Sequence, residues 1–380
     1  MKLLFDLTVT QPVTGVKFHG GGLYGETIFW ALLKRLKTIT CIYDSKLYIN
    51  PKILECGITL YDINQISPKE IVEKENIDVF YTPAYVNEWQ IPVKRYVITW
   101  HDVRFLEMLQ DNTKSYYDST RLKTVVRFFR KKYLLKKMKA RFDRLSRIEN
   151  AEYVTVSEHS KHSILGFYPH LAQKEILVLY SPVDDDQIEL PQSKFKPKSY
   201  FLLTSSNRWE KNNLRAVWAF DELLSQRDDL DFKVVLTGVT NEEIYIRKLK
   251  NRDKFVFLNY VERPELLSLH KNAYAFIFPS LNEGFGYPPV ESMRYGVPVA
   301  ASGISSIPEI CQNAAIYFDP YNVSEIKNRI IQLLNKDIHD EYSARAIERY
   351  NAVKERQIRD LDRIVDFIAG KKSEKVESFV

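Results

Sequence analysis

Short β-branched and aromatic runs alternate with helix-patterned stretches along this chain, and they do so in two successive series. In the first half the strand-like runs are residues 2–9, 78–81, 96–100 and 153–156, with helical periodicity between them, as at 24–37. A polar stretch, 183–199, carrying Pro191 and Pro197 and no apolar periodicity, interrupts the pattern. The alternation then restarts with strand-like runs at 200–204, 232–236, 255–258, 274–278 and 297–301. Strands separated by helices pair in parallel, because each helix carries the chain back to the same end of the sheet. The expected fold class is therefore α/β, with two Rossmann-like domains in series facing each other across a cleft. Their expected extents are 1–183 and 197–355, followed by a helix at 356–370 that returns to the first domain and a frayed tail at 371–380. Parallel sheets of this kind bind ligands just beyond the carboxyl ends of their strands, so those positions are where chemistry is sought.

A chain of 380 residues, 45% hydrophobic and 27% charged, has the composition of a folded protein of two domains. Cys41, Cys56 and Cys311 are few, far apart and odd in number, which speaks against a disulfide framework or a cysteine zinc site and for a reducing compartment. Neither a secretory leader nor an apolar stretch long enough to span a bilayer is evident, so the expected location is cytoplasmic. The net charge of +6 is unevenly spread: residues 121–147 carry a run of Lys and Arg with Asp143 as the only acid. Leu134, Met138, Phe142 and Leu145 recur there at helical spacing and would share one face. Such a helix can lie on an anionic membrane, giving a peripheral place at the inner membrane face, or pack on its own domain with its cationic face in water.

The most specific segment is FPSLNEGFGYPPVESMRYGVPV, residues 278–299, which follows a strand-like run and opens a helix. Gly284 and Gly286 permit unusual φ values and close approach of a ligand, and Pro288 and Pro289 suit a first helical turn whose free amides can hold phosphate. Glu283 and Glu291 border that turn, eight positions apart. Carboxylates beside a diphosphate are unfavourable unless they bind something else, and vicinal hydroxyls are the obvious partners. Beyond another strand-like run lies SSNRWEKNN, residues 205–213, where Arg208 and Lys211 can converge on one anion, the first as a planar fork and the second as a point charge. Gly20, Gly21 and Gly22, in FHGGGLYG, permit a turn whose amides face a phosphate or form a plain flexible loop. His101, Asp102 and Arg104 follow a strand in WHDVR, and Ser157 with Glu158 occupies another strand exit. Asn259, Tyr260 and Val261 follow a third, as binding groups or as a simple turn before Pro264.

EGFGYPPVE, two glutamates flanking a Gly-Phe-Gly turn, resembles the hallmark of retaining glycosyltransferases of family 4, the glycosyl transferases group 1, which have the GT-B fold. The resemblance covers nearly the whole chain and is stronger in its second half. It implies an acceptor-binding first domain and a nucleotide-sugar-binding second domain, and a reaction that moves a hexose-type sugar from a nucleotide diphosphate to an acceptor hydroxyl in cell-surface polysaccharide or glycolipid assembly. By it Glu283 lies against the donor sugar, the amides of Gly284, Phe285, Gly286 and Tyr287 meet sugar and phosphate oxygens, and Glu291 binds the ribose. Asn207, Arg208 and Lys211 hold the diphosphate, Gly21 and Gly22 contact donor phosphate, and Tyr260 and Val261 offer hydrogen bonds to the base. His101 acts with Arg208, Lys211 and Glu283 as a catalytic group, while Gly20, Asp102 and Arg104 stand on the acceptor side.

No carboxylate is placed as a nucleophile, so the resemblance implies retention by front-face attack, with the leaving phosphate oxygen taking the acceptor proton. No cofactor or metal is expected beside the nucleotide-sugar co-substrate. Asp184 and Asp186 have the letters of a metal-binding Asp-x-Asp pair but fall in the linker, and Asp229 and Asp231 precede a strand. Expected partners are the donor, a glycan or lipid-linked acceptor, and an anionic membrane through 121–147, with no nucleic acid. Two rivals share parts of the pattern: a sugar-nucleotide epimerase of similar fold, and a non-catalytic basic binding protein, which would not need Glu283, Glu291, Arg208 and Lys211 together.

Overall fold

A computed structural model of the protein describes residues 1–12, 20–36, 38–108, 111–117, 121–182 and 188–371, with the backbone alone for 121–132. The described residues fall into two compact units, one made of 1–103, 138–185 and 355–380 and the other of 104–137 and 186–354. Residues 104–137, expected with the first domain, belong to the second. Their side chains explain it: Arg215 reaches both oxygens of Asp111 at 2.7 and 3.1 Å, Tyr117 and Tyr245 share a hydroxyl hydrogen bond of 3.0 Å, and Tyr116 packs edge-on against Trp218.

The first unit is built on seven parallel strands: β1 (Leu3–Asp6), β2 (Thr40–Tyr43), β3 (Thr59–Asp62), β4 (Val79–Thr82), β5 (Arg95–Thr99), β6 (Ala151–Thr155) and β7 (Ile176–Val178), in the order β3-β2-β1-β4-β5-β6-β7. The central strands are buried on both faces, which is why β1 and β4 read as continuous apolar runs rather than alternating ones. Residues 7–9, expected as more of β1, instead turn away at its carboxyl end. Gly20, Gly21 and Gly22, expected as a turn, are the first turn of the helix Gly20–Leu36. A Cβ on Gly25 of that helix would stand 2.5 Å from Thr10 and 3.2 Å from Pro83, so glycine lets the helix lie against the loops that follow β1 and β4.

The second unit repeats the plan with six parallel strands: β8 (Tyr200–Leu203), β9 (Lys233–Leu236), β10 (Phe255–Phe257), β11 (Ala275–Phe278), β12 (Val299–Ser302) and β13 (Ala315–Phe318), ordered β10-β9-β8-β11-β12-β13. Successive side chains point to opposite faces. Phe201 and Leu203 therefore join Val217 and Phe220 of the helix Asn213–Gln226 and Ile326 and Ile330 of the helix Val323–Leu334. Tyr200 and Leu202 join Phe276, Phe278, Met293 and Ile307 on the other face. Each such side chain contributes about 1.5–3 kcal/mol of burial. In both sheets the order reverses between the first strand and its fourth, β1 beside β4 and β8 beside β11, which opens a crevice at the carboxyl ends of those pairs. The expected two-domain α/β architecture is the one observed.

The helix Lys336–Ile368 belongs to the second unit through Lys354, where Ser343 donates to the Gly296 carbonyl at 2.6 Å and Arg349 to that of Ile310 at 2.7 Å. From Glu355 it belongs to the first unit. There Asp360 accepts from the Tyr180 amide at 2.9 Å, Gln357 donates to the Ser181 carbonyl at 2.5 Å, and Arg356 stacks on the Tyr180 ring. Among the described residues no helix is long and apolar enough to cross a membrane. The cysteines are free, with Cys41 and Cys311 buried.

Candidate functional site

In the second unit the loops that leave β8 and β11 are stitched to each other. Ser205 and Asn212 adopt left-handed φ values of 58°, which bend the chain after β8 into a tight turn before the helix Asn213–Gln226. Asn213 donates to the Thr204 carbonyl at 2.8 Å and to the Ser206 hydroxyl at 2.9 Å, and Asn212 donates to the carbonyls of Pro279 and Pro320 at 3.0 and 2.7 Å. The Leu281 amide donates back to the Glu210 carbonyl at 2.8 Å. These contacts deliver Lys211, 4% exposed, to Glu283, 9% exposed, and the two form a buried ion pair.

Glu283 is held on every side. Ser280 donates to its Oε1 at 2.6 Å, its amide donates to the Ser305 hydroxyl at 3.2 Å, and its carbonyl accepts from Ser306 at 3.0 Å. Burial acts to raise its pKa, yet Lys211, Arg104 and Arg208 outweigh that and hold the carboxyl below its ordinary value. Burial pushes Lys211 down to about 8, against the pull of Glu283 and with the repulsion of Arg208 and Arg104. Arg104, expected on the acceptor side, thus acts on the Lys211–Glu283 pair. Of Arg208 and Lys211, both of which bear on Glu283, Lys211 lies inside on its carboxylate and Arg208 is 43% exposed with Nε 3.9 Å from Glu210. Asn207 is exposed beside it.

Past Glu283 and Gly284, Phe285 is buried and its carbonyl accepts from Ser306 at 2.7 Å. Gly286 has φ 119°, and it caps the helix Tyr287–Met293, whose first turn holds both prolines. Glu291 lies on that helix, where Arg263 pairs with its Oε1 and His270 Nε2 lies 3.4 Å from its Oε2. Burial again acts to raise this carboxyl, and Arg263 and His270 bring it below its ordinary value. After β10, Asn259 gives its carbonyl to the Gly238 amide at 3.0 Å, Tyr260 is 41% exposed, and Val261 packs on the core. Ser280, Ser305, Arg263 and His270 were not singled out in the sequence. The last two could have been, since seven residues separate them on one helix.

In the first unit His101 follows β5. A carbonyl only accepts, so the 2.8 Å contact of His101 Nε2 with the Pro83 carbonyl puts the proton on Nε2. Tyr24 packs edge-on against the ring, and its hydroxyl meets Thr99, which also meets Tyr81, each at 3.0 Å. Asp102 gives its carbonyl to the Trp100 indole at 3.1 Å. Ser157 caps the helix Glu158–Phe167 by accepting from the Ser160 amide at 3.1 Å, a structural use of that strand exit, and Glu158 opens the helix. Asp6, which the sequence did not flag, is fully buried at the end of β1. Burial raises it to about 6 although Thr8, Thr82 and Trp89 all donate to it, and those bonds pin the loops after β1 and β4.

The helix Arg121–Leu145 divides in a way its periodicity did not show. Phe142 stacks on Trp100 and Leu145 is buried, but Leu134 is 52% exposed, so the face that the four expected apolar positions share is covered only along its later turns. Asp184 and Asp186 lie outside the described residues, while Asp229 pairs with Arg227 and Asp231 with Lys254. Among the described residues no three His, Cys, Asp or Glu side chains stand close enough to hold a metal ion.

Residues 185–352 match the family model of glycosyl transferases group 1, and they are a domain of that family. The O-antigen chain mannosyltransferase RfbU of Salmonella typhimurium is 29% identical over 313 residues, covering 79% of this chain and 84% of that one. WaaG, a glycosyltransferase involved in lipopolysaccharide biosynthesis, superposes with a TM-score of 0.66 at 13% identity over 97% of this chain and 100% of its own. Anabaena HepE, solved in complex with UDP and glucose, gives 0.65 at 14% over 97% and 100%. At such identities the structures speak for the fold alone, and that fold is GT-B.

Gly286→Ala tests the loop. A Cβ there would combine a left-handed φ with a 2.8 Å approach to Ile307 Cδ1, so the variant is expected to lose about 1–3 kcal/mol in urea unfolding. Gly166→Ala, with nothing within 4 Å, is expected to be neutral or stabilising by up to about 1 kcal/mol. Equal effects at the two positions would show that the turn is not constrained as described.

Proposed function

We propose that this chain, whose second unit is a glycosyl transferases group 1 domain, moves a hexose from a nucleotide diphosphate to an acceptor hydroxyl with retention, in the assembly of a surface polysaccharide or glycolipid. The observation that carries the reading is the buried Lys211–Glu283 pair at the β8/β11 crevice, with Glu291 eight residues further on. A site of that composition suits a ligand with both an anionic and a polyhydroxyl part. Mannose is the favoured sugar, since RfbU is named an O-antigen chain mannosyltransferase and matches most of this chain.

In this reading the donor diphosphate draws on Lys211 and Arg208, while Glu283 accepts from sugar hydroxyls and Glu291 from the ribose. The bond from the anomeric carbon to the phosphate oxygen breaks as the acceptor oxygen bonds to the same face, and the acceptor proton passes to the departing phosphate oxygen. Negative charge grows on the diphosphate as this happens, so fixed cations and loop amides lower the barrier most there. No metal is called for, because side chains and amides answer that charge. His101, held by Tyr24 and Pro83 as the Nε2–H tautomer, is the proposed catalytic contribution of the first unit.

The acceptor reading includes a lipid surface. Tyr133, Leu134 and Leu135 are 67%, 52% and 37% exposed and run into Lys136, Lys137 and Lys139, an apolar edge beside cations that suits an anionic bilayer. Each such cation adds about 1 kcal/mol near an anionic surface.

A screen of GDP- and UDP-hexoses against polysaccharide-precursor acceptors should give one productive donor. Arg208→Ala should lower its kcat about 10- to 100-fold with a smaller change in donor affinity, the loss expected for one charge-assisted contact formed in the transition state. Isomerisation of the sugar nucleotide without acceptor would identify an epimerase instead. Because Lys211 titrates at about 8 rather than at the 10.5 of a free lysine, kcat/KM should fall tenfold per pH unit above about 8. The kcat limb should lie higher, since a bound diphosphate stabilises the ammonium, and Lys211→Arg should remove the limb; a flat profile to pH 10 would exclude Lys211 as the required cation. Vesicles containing phosphatidylglycerol should co-sediment the protein in low salt and neutral vesicles should not, and the pair Leu134→Glu with Leu135→Glu should release it. Equal binding to both vesicle types would exclude the membrane contact.

A further inference from the structure

Glu291 is steadied from one neighbouring helix at two points. Arg263 opens the helix Arg263–Asn272 and His270 follows two turns later, which brings both to the same side. Arg263 takes Oε1 of Glu291, and His270 presents Nε2 3.4 Å from Oε2. The other ring nitrogen, Nδ1, is 2.6 Å from the hydroxyl of Ser292, the residue next to Glu291. His270 is fully buried, and its Nε2 makes no hydrogen bond, so a buried polar atom faces the carboxylate just beyond bonding range.

Burial lowers His270 to about 4, so its ring is neutral in ordinary buffers and carries one proton. Were that proton on Nδ1, a bare Nε2 lone pair would confront a carboxylate away from water. With the proton on Nε2, the Ser292 hydroxyl donates to Nδ1 and the carboxylate has an N–H rather than a lone pair on its side, 3.4 Å from Oε2. A neutral donor also orients the carboxylate without cancelling the charge it offers to a ligand.

A carboxylate has about four lone-pair positions. Arg263 occupies one and His270 approaches a second, which leaves two for a pair of adjacent hydroxyls. Arg263 alone would fix one oxygen and let the other swing. We propose that His270, set in its tautomer by Ser292, is a positioning residue that orients the second oxygen of Glu291 for the vicinal hydroxyls of the donor ribose. The inference rests on the reading of Glu291 as the ribose ligand.

The test measures binding of UDP, GDP and their 2′-deoxy forms to the full chain by calorimetry, using the base that binds more tightly. The wild type should prefer the ribonucleotide by about 10-fold or more, the scale of a hydrogen bond to a charged acceptor. Glutamine places an amide nitrogen near Nε2, whereas asparagine places one near Nδ1. His270→Gln should therefore keep most of the preference, and His270→Asn should shrink it to about threefold or less while binding the deoxynucleotide as the wild type does. Ser292→Ala, a small change that leaves the helix intact, should lose part of it by freeing the tautomer. A merely structural role would weaken both nucleotides together. An undiminished preference in His270→Asn, or in Ser292→Ala should His270→Asn not fold, would overturn the inference. A wild type that binds both forms equally would remove the ribose reading itself, whatever His270 does.

Discussion

Lys211 and Glu283 are charged groups placed where charge is costly, and the organisation of the second unit follows from that cost. Removing an ion from water costs several kcal/mol even after relaxation, and attraction to its partner offsets this only when the remaining hydrogen-bonding positions are also filled. Ser280 fills one on Glu283, and the loop amide and carbonyl of the same residue are taken by Ser305 and Ser306. On the other side Asn212 and Asn213 tie the Lys211 turn to the ends of β8 and β11. The loops are rigid because two ions require it, and rigidity at a strand-order reversal is what a ligand site needs.

Glu291 shows a milder form of the same constraint. Its cation, Arg263, is 16% exposed and sits at a helix entrance, and the nearby imidazole is neutral. One carboxylate is thus buried against a full charge and the other braced by a charge and a dipole. The two glutamates look alike in EGFGYPPVE, but their surroundings fit them to different partners.

Much of this was legible in the chain. The double alternation of strand and helix patterns, the linker with Pro191 and Pro197, and the strand–loop–helix around Glu283 could be read directly, because buried parallel strands are apolar throughout and loop glycines and prolines punctuate them. What escaped has physical reasons. β2, β3 and β7 have only one or two fully buried positions each, so burial does not mark them in the sequence as it marks the central strands. The grouping of residues 104–137 with the second unit depends on Arg215, Tyr245 and Trp218, all about a hundred positions away. That Lys211 is buried on Glu283 while Arg208 stays partly exposed depends on depth, which spacing along a chain does not encode. Leu134 failed the helical pattern for the reverse reason: periodicity tells which residues share a face, not whether anything covers it.

The helix Lys336–Ile368 gives synthesis of this protein a particular order. All seven strands of the first sheet have left the ribosome by Val178, yet the Tyr180 amide, the Ser181 carbonyl and the Tyr180 ring wait for Asp360, Gln357 and Arg356. The unit that begins first is therefore finished last, after the whole of the second has been made. Until the final turns of helix emerge, the exit of β7 remains an uncapped end, and the chain must hold a nearly complete α/β unit open at one seam while it builds another.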